Sequence, residues 1–188
     1  PKYAQRAFAD YEAEYLARLT QGGIPAPVLL PSPDGSPFLA RGGALWQFSP
    51  RIEGAPFSDT SGQIREAGRF LARYHNAVKG FSPVHERACP RYEHPQELRQ
   101  RYQSFRAAYP AEKRCEWAGR LIDRLLDTLN EDAYRSLPML HIHGDYHSFN
   151  LLFSGDAVSG IFDFDRSSLQ ARLRDVADGV IFFGSLRQ

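Results

Sequence analysis

The stretch HIHGDYHSFN, residues 141–150, decides how this chain is read. It sets His141, His143, Asp145 and His147 on alternate positions and closes on Asn150. One reading is a metal-binding comb, because a fully extended strand would turn those four side chains to one side, and imidazole and carboxylate both ligate zinc. Strand geometry argues against it. Residues two apart stand roughly 6.5–7 Å apart, so four of them spread over about 20 Å and cannot meet at one ion without a bend. A bend at Gly144 would break the alternation, and His75, His85 and His94 carry no motif that marks them as distant ligands. A zinc metallohydrolase is therefore the weaker alternative.

Counting from the aspartate gives a second pattern. Asp145 and Asn150 have the spacing D-x-x-x-x-N, and Asp163 lies on a later apolar segment, GIFDFD, residues 160–165. Phosphoryl transfer asks for a carboxylate that takes the proton of an attacking hydroxyl, and for oxygen ligands that hold magnesium against phosphates. Magnesium keeps several waters, so one amide oxygen and one carboxylate suffice from the protein. NLLF and VSGIFDF, joined by SGDA, predict a hairpin that returns Asp163 beside Asn150.

The remaining segments frame that loop. Tyr3 to Leu19 reads as a helix with Phe8, Tyr11, Tyr15 and Leu19 on one face, ended by TQGGIP. Glu12 falls on this face, where a carboxylate is costly without a partner, whereas Glu14 points away. Residues 27–50 read as short strands broken at PDG and RGG. A second helix runs through SDTSGQIREAGRFLARYHNAVKG, with His75 beside its apolar stripe as a packing or capping residue. Residues 81–95 read as a surface loop. Two helices follow, roughly 96–109 and 111–130, the latter carrying Trp117, Leu121, Leu125 and Leu129.

Composition narrows the function classes. The chain of 188 residues is 43% hydrophobic and 24% charged, ordinary for a globular protein. A formal charge of +1 gives no electrostatic case for nucleic acid or an acidic membrane surface. No apolar run reaches membrane-spanning length, and no signal peptide opens the chain, so a cytoplasmic protein is expected. Cys89 and Cys115 form no metal or redox spacing and read as free thiols. Because the first residue is Pro1 and a helix begins at once, a fragment of a longer protein is expected.

The Asp145–Asn150 spacing matches the catalytic loop of protein kinases, and Asp163-Phe164-Asp165 stands where such enzymes carry D-F-G. More specifically, HGDYHSFNLLF, GIFDFDRSS and RDVADG resemble the aminoglycoside phosphotransferase and choline-kinase-like family of small-molecule kinases. The resemblance implies an α+β, protein-kinase-like two-lobed fold. Its N-terminal nucleotide-binding lobe would be incomplete over residues 1–50. Its C-terminal catalytic lobe, mainly helical with a catalytic hairpin, would cover 51–188 and be truncated. It implies ATP and Mg2+ as cofactors and a small-molecule hydroxyl as acceptor, with an amino alcohol, a sugar and an aminoglycoside all open and metabolic substrates slightly favoured.

Residue by residue, the resemblance makes Asp145 the catalytic base and Asn150 and Asp163 the magnesium ligands, with His143 bracing the loop. Arg166 takes the place of an arginine near the site, and Asp175 that of a structural aspartate. His147 is either close to substrate or a solvated loop histidine. EAEYLARLTQGGIPAPVLL resembles the family's first helix, which puts Glu12 where a glutamate pairs with an ATP-binding lysine. LWQFSPRIEGAPF resembles the hinge, so backbone groups from Phe48 and Ser49 to Arg51 would meet adenine while Leu152 and Phe162 line the base pocket. No Gly-rich phosphate loop is present, and Lys2 lies too close to Glu12 to be the nucleotide lysine; in the family both precede the first helix. Those departures motivate a second alternative, a catalytically inactive nucleotide-binding pseudokinase module. Asp165 stands where some relatives carry glycine, and its charge is open to binding a third group, repelling phosphate or recognising a cationic substrate.

Overall fold

In the computed structural model, which describes residues 6–89 and 94–184, helix α1 spans Arg6–Gln21. It buries Ala9, Tyr11, Glu12, Tyr15, Leu16 and Leu19, a helical stripe three and four residues apart. Gly22 and Gly23 stop it. Gly23 takes φ +71°, and a Cβ on Gly22 would lie 2.5 Å from the Cβ of Ala77, so the helix end packs tightly on a second helix.

Strands β1 (Leu39–Arg41) and β2 (Ala44–Trp46) form a hairpin. Its turn is Gly42-Gly43, both at positive φ, as a tight two-residue hairpin turn requires. Helix α2 (Ser61–Ala77) starts at Thr60, whose hydroxyl accepts the Gln63 amide. It packs on α1, and the Tyr15 hydroxyl lies 2.7 Å from that of Tyr74.

Helices α3 (Pro95–Ala108), α4 (Arg114–Thr128) and α5 (Glu131–Arg135) follow. They make up a separate compact unit between Cys89 and Met139. Gly119 of α4 admits the Tyr102 ring of α3, and the Tyr102 hydroxyl donates to Cys115 O at 2.9 Å. The predicted stripe on α4 faces solvent at Trp117, Leu121 and Leu125, and Cys115, Gly119 and Leu126 are buried instead.

The chain through Cys89 and from Met139 onward forms the other unit. Strand β3 (Met139–Ile142) is followed by a 3-10 turn at Ser148–Asn150, and then by the antiparallel hairpin β4 (Leu151–Ser154) and β5 (Ala157–Ile161). Strand β6 (Ser168–Ala171) returns antiparallel to β3, and helix α6 (Leu173–Gly184) closes the described chain. Tyr11, Tyr15, Phe70, Tyr74, Tyr146, Phe153, Phe164 and Phe183 dominate a core shared by α1, α2, the hairpin and α6. Tyr146 carries the 143–150 segment into that core, and the His143 ring meets Tyr74 and Phe164 of it.

Candidate active site

The catalytic-type loop is fixed from beneath by a buried carboxylate. Asp175, in the first turn of α6, is fully buried. It accepts the His143 amide on Oδ2 at 3.0 Å and the Gly144 amide on Oδ1 at 2.8 Å. His75 Nε2 of α2 lies 3.0 Å from the same Oδ2, so this histidine braces the loop. Arg174 donates to Gly144 O at 2.9 Å, and the Tyr146 hydroxyl donates to Ala67 O at 2.7 Å. A glycine is needed at 144, because φ is +76° and a Cβ would come within 2.4 Å of Arg166 O.

Asp145 therefore leaves a loop held on both flanks. Its carboxylate stands 3.5 Å from Arg166 Nη1 and 3.4 Å from His147 Nε2. Buried Asn150 donates through Nδ2 to Asp145 O at 3.0 Å. Its backbone carbonyl accepts the Phe162 amide at 3.2 Å, one step beyond the Leu151–Ile161 pair of the hairpin. Asp163 follows at once, exposed and at φ +66°, a left-handed conformation unusual for a non-glycine residue. The hairpin thus sets Asn150 and Asp163 side by side at its open end.

His143 ties the two segments together. The ring is fully buried, and its Nε2 lies 3.0 Å from Phe162 O. A carbonyl can only accept, so Nε2 carries the proton, and the buried Nδ1 has no partner among the described residues. Burial holds the imidazole pKa down, opposed by Asp175, by the bond to Phe162 O, and by Asp145 and Asp163. Both site carboxylates thus act on one neutral histidine.

A divalent cation fits the donor set. Asn150 commits its amide nitrogen to the loop, which leaves Oδ1 to offer a metal, and Asp163 adds an exposed carboxylate beside it. Magnesium prefers such oxygen ligands. The zinc comb, by contrast, is taken apart by the fold. His141 Nδ1 meets the Tyr11 hydroxyl at 3.0 Å, His143 turns to Phe162 O, and β3 ends before Gly144. Among the described residues no group of three or more His, Cys, Asp or Glu is placed to hold a metal.

The expected nucleotide residues fall in two sets. Leu152 and Phe162 are half-buried on the hairpin, and Ala55 pairs with Phe153 by two 2.8 Å backbone bonds, which docks the 47–55 segment on β4. A Cβ on Gly54 would lie 2.8 Å from that of Leu152. Phe48, Ser49 and Arg51 are exposed, and the Arg51 side chain turns to Glu53 at 3.7 Å. Asp165 is exposed one residue beyond buried Phe164. Lys2 lies outside the described residues. A cavity of about 630 Å3 between α2 and α6, lined by Leu71, Tyr146, Val176, Val180 and Phe183 among others, contains none of Asp145, Asn150 and Asp163.

Two residues near the site are given no role by the sequence. Asp178 of α6 has its pKa pushed up to about 6, first by burial, with Asp175 and Asp145 adding and Arg174 and His147 opposing. Arg87, in the loop read as surface, is buried and reaches Glu12 Oε2 at 3.2 Å. Glu12 thus has a cationic partner from within this chain. Glu14 accepts the Val84 amide at 2.7 Å and meets His85 Nδ1 at 2.6 Å, strapping the same loop to α1.

Helix α1, the docked segment and the Asp145–Asn150–Asp163 hairpin define a protein-kinase-like fold. Residues 1–187 match the model of the phosphotransferase enzyme family, and the chain belongs to that family. Among solved structures it is similar to amicoumacin kinase hAmiN in complex with AMP-PNP, Ca2+ and Ami, at 18% identity and a TM-score of 0.68, over 95% of this chain and 55% of that one. It is likewise similar to APH(2")-IIia in complex with GDP and kanamycin, at 16% identity and a TM-score of 0.67, over 99% and 66% of the two chains. The macrolide 2'-phosphotransferase MphH from Brachybacterium faecium is similar at 16% identity and a TM-score of 0.55, over 93% and 59%. The chain spans between 55% and 66% of the length of these three proteins, and at such identities the likeness concerns the fold. No protein with curated annotation matches the chain significantly in sequence. Among the described residues no helix is long and apolar enough to cross a membrane.

Proposed function

We propose that the complete protein is an ATP- and Mg2+-dependent phosphotransferase that moves the γ-phosphate to a hydroxyl of a small molecule. The observation that carries this reading is the bond from the Phe162 amide to Asn150 O, which sets Asp163 beside Asn150 within one loop of Asp145. On this reading residues 1–50 contribute to the nucleotide-binding lobe, and residues 51–188 to the catalytic lobe.

Asp145 is the group that orients the acceptor hydroxyl and takes its proton as the oxygen attacks phosphorus. Arg166, 3.5 Å from that carboxylate, is placed to face phosphate charge. Asn150 Oδ1 and the Asp163 carboxylate would hold magnesium, which when bound neutralises charge on the phosphates. His143 keeps both segments in place through its backbone bond and does not itself move a proton. Leu152 and Phe162 offer an apolar surface for a base, with backbone groups of Phe48 to Arg51 at its edge, and Glu12 would meet the nucleotide-binding cation. Neighbours solved with AMP-PNP or with GDP support a purine nucleotide as donor.

The test is a panel of sugars, amino alcohols and aminoglycosides incubated with Mg2+ and either ATP or GTP, with phosphorylated product read by mass spectrometry. The proposal expects ATP-dependent phosphorylation of at least one acceptor. Tight nucleotide binding with no transfer to any acceptor would favour a binding module instead.

A further inference from the structure

Arg87 joins three segments that are far apart in sequence. Its Nη1 donates to Phe164 O at 2.6 Å and approaches Ser167 Oγ at 3.4 Å. Its Nη2 donates to Phe8 O at 2.7 Å and to Glu12 Oε2 at 3.2 Å. The guanidinium also stacks over Tyr11, 5.0 Å from the ring centre, and the side chain is 1% exposed. A planar fork of donors is suited to such a multiple grip, whereas an ammonium is not.

The carbonyl it holds has a special position. Asp163 adopts a left-handed backbone, which is unfavourable for an L-residue and persists only where its surroundings over-determine it. The two flanking carbonyls are both pinned. Phe162 O accepts His143 Nε2, and Phe164 O accepts Arg87 together with the Ser167 hydroxyl at 2.6 Å and the Ser167 amide at 3.0 Å. The first pin comes from the Asp145 loop and the second from a residue that also grips α1.

We propose that Arg87 is a positioning residue: it locks the turn that presents Asp163 to helix α1 at Glu12, so that the metal carboxylate and the nucleotide-lobe helix move as one body. The proposal rests on the reading of Asp163 as a magnesium ligand, and adds a residue that touches neither metal nor substrate. Cys89 supports the same seating of the loop, since its Sγ lies 3.8 Å from Asp165 O and 4.0 Å from Ser167 O.

The experiment compares full-length wild type with Arg87→Lys and Ser167→Ala. Amide hydrogen exchange is followed over residues 162–168 and 8–12 without ligands, and the Mg2+ concentration for half-maximal ATP turnover is measured beside kcat. Arg87→Lys is expected to speed exchange in both segments and to raise the Mg2+ half-saturation roughly tenfold, with a smaller fall in kcat at saturating Mg2+. Ser167→Ala keeps the buried ion pair and removes one donor to Phe164 O. It should accelerate exchange at 162–168 alone and raise the Mg2+ half-saturation by about threefold, and it serves as the test if Arg87→Lys does not fold. Unchanged exchange at 162–168 overturns the lock. Faster exchange with an unmoved Mg2+ half-saturation overturns the positioning role and leaves a structural ion pair. A wild type that turns over no acceptor counts against the kinase reading instead, and the exchange result then decides the lock by itself.

Discussion

His75 and Asp175, a hundred residues apart, meet at 3.0 Å beneath the Asp145 loop, and the same carboxylate receives the backbone amides of His143 and Gly144. A fully buried carboxylate with three donors stands in place of solvent for that turn. Removing it as Asp175→Ala strands two buried amides and the His75 ring. The expected loss is about 3 kcal/mol or more of unfolding free energy. Urea denaturation measures it; a loss below about 1 kcal/mol would contradict the network.

Gly144 is the tightest point of the loop. A methyl group there meets Arg166 O and also forces an L-residue to φ +76°. Gly144→Ala should cost about 2 kcal/mol or more and abolish most turnover, because Asp145 is the next residue. Thermal unfolding together with an activity assay checks this. Wild-type behaviour in both would show that the turn takes another path.

Asp178 makes stability depend on pH in a stated direction. Its folded pKa, about 6, lies above the ordinary carboxylate value, so the folded protein holds a proton that the unfolded chain has released. Stability from this group is present at low pH and declines as pH rises from about 4 through about 6. Asp178→Asn cannot ionise, so its stability relative to wild type should climb over that window and level off above pH 7. Melting temperatures at pH 4.5 and 7.5 measure the difference. An equal offset at both would contradict the assignment.

The legible parts of this fold were those whose cause is local. The spacing of Asp145 and Asn150, and the apolar runs on either side of SGDA, carry the hairpin because its two strands are neighbours in sequence. Glu12 was readable as inward from its place on the α1 face. Strand β6 and helix α6 gave no such signal. SLQA pairs only with distant β3, and the α6 segment Val176–Phe183 is apolar almost all round, interrupted by Asp178 and Gly179. Helix α5, with five residues, is too short to show a period. Arg87 sits in a loop rich in proline, histidine and charge, and is buried only because Phe8, Glu12 and Phe164 converge on it from elsewhere. On α4, periodicity identified a helix but not which face is covered.

The central claim is that Asp145, Asn150 and Asp163 form one site with separate duties. It is tested most directly by titrating Mg2+ in the phosphoryl-transfer assay with wild type, Asp145→Ala, Asn150→Ala and Asp163→Ala. Asp145→Ala should lose roughly 10²–10⁴-fold in kcat with an unchanged Mg2+ half-saturation. The other two should shift that half-saturation upward by roughly tenfold or more as well as slowing turnover. Asp145→Ala turning over at the wild-type rate, or all four proteins sharing one Mg2+ curve, would contradict the account.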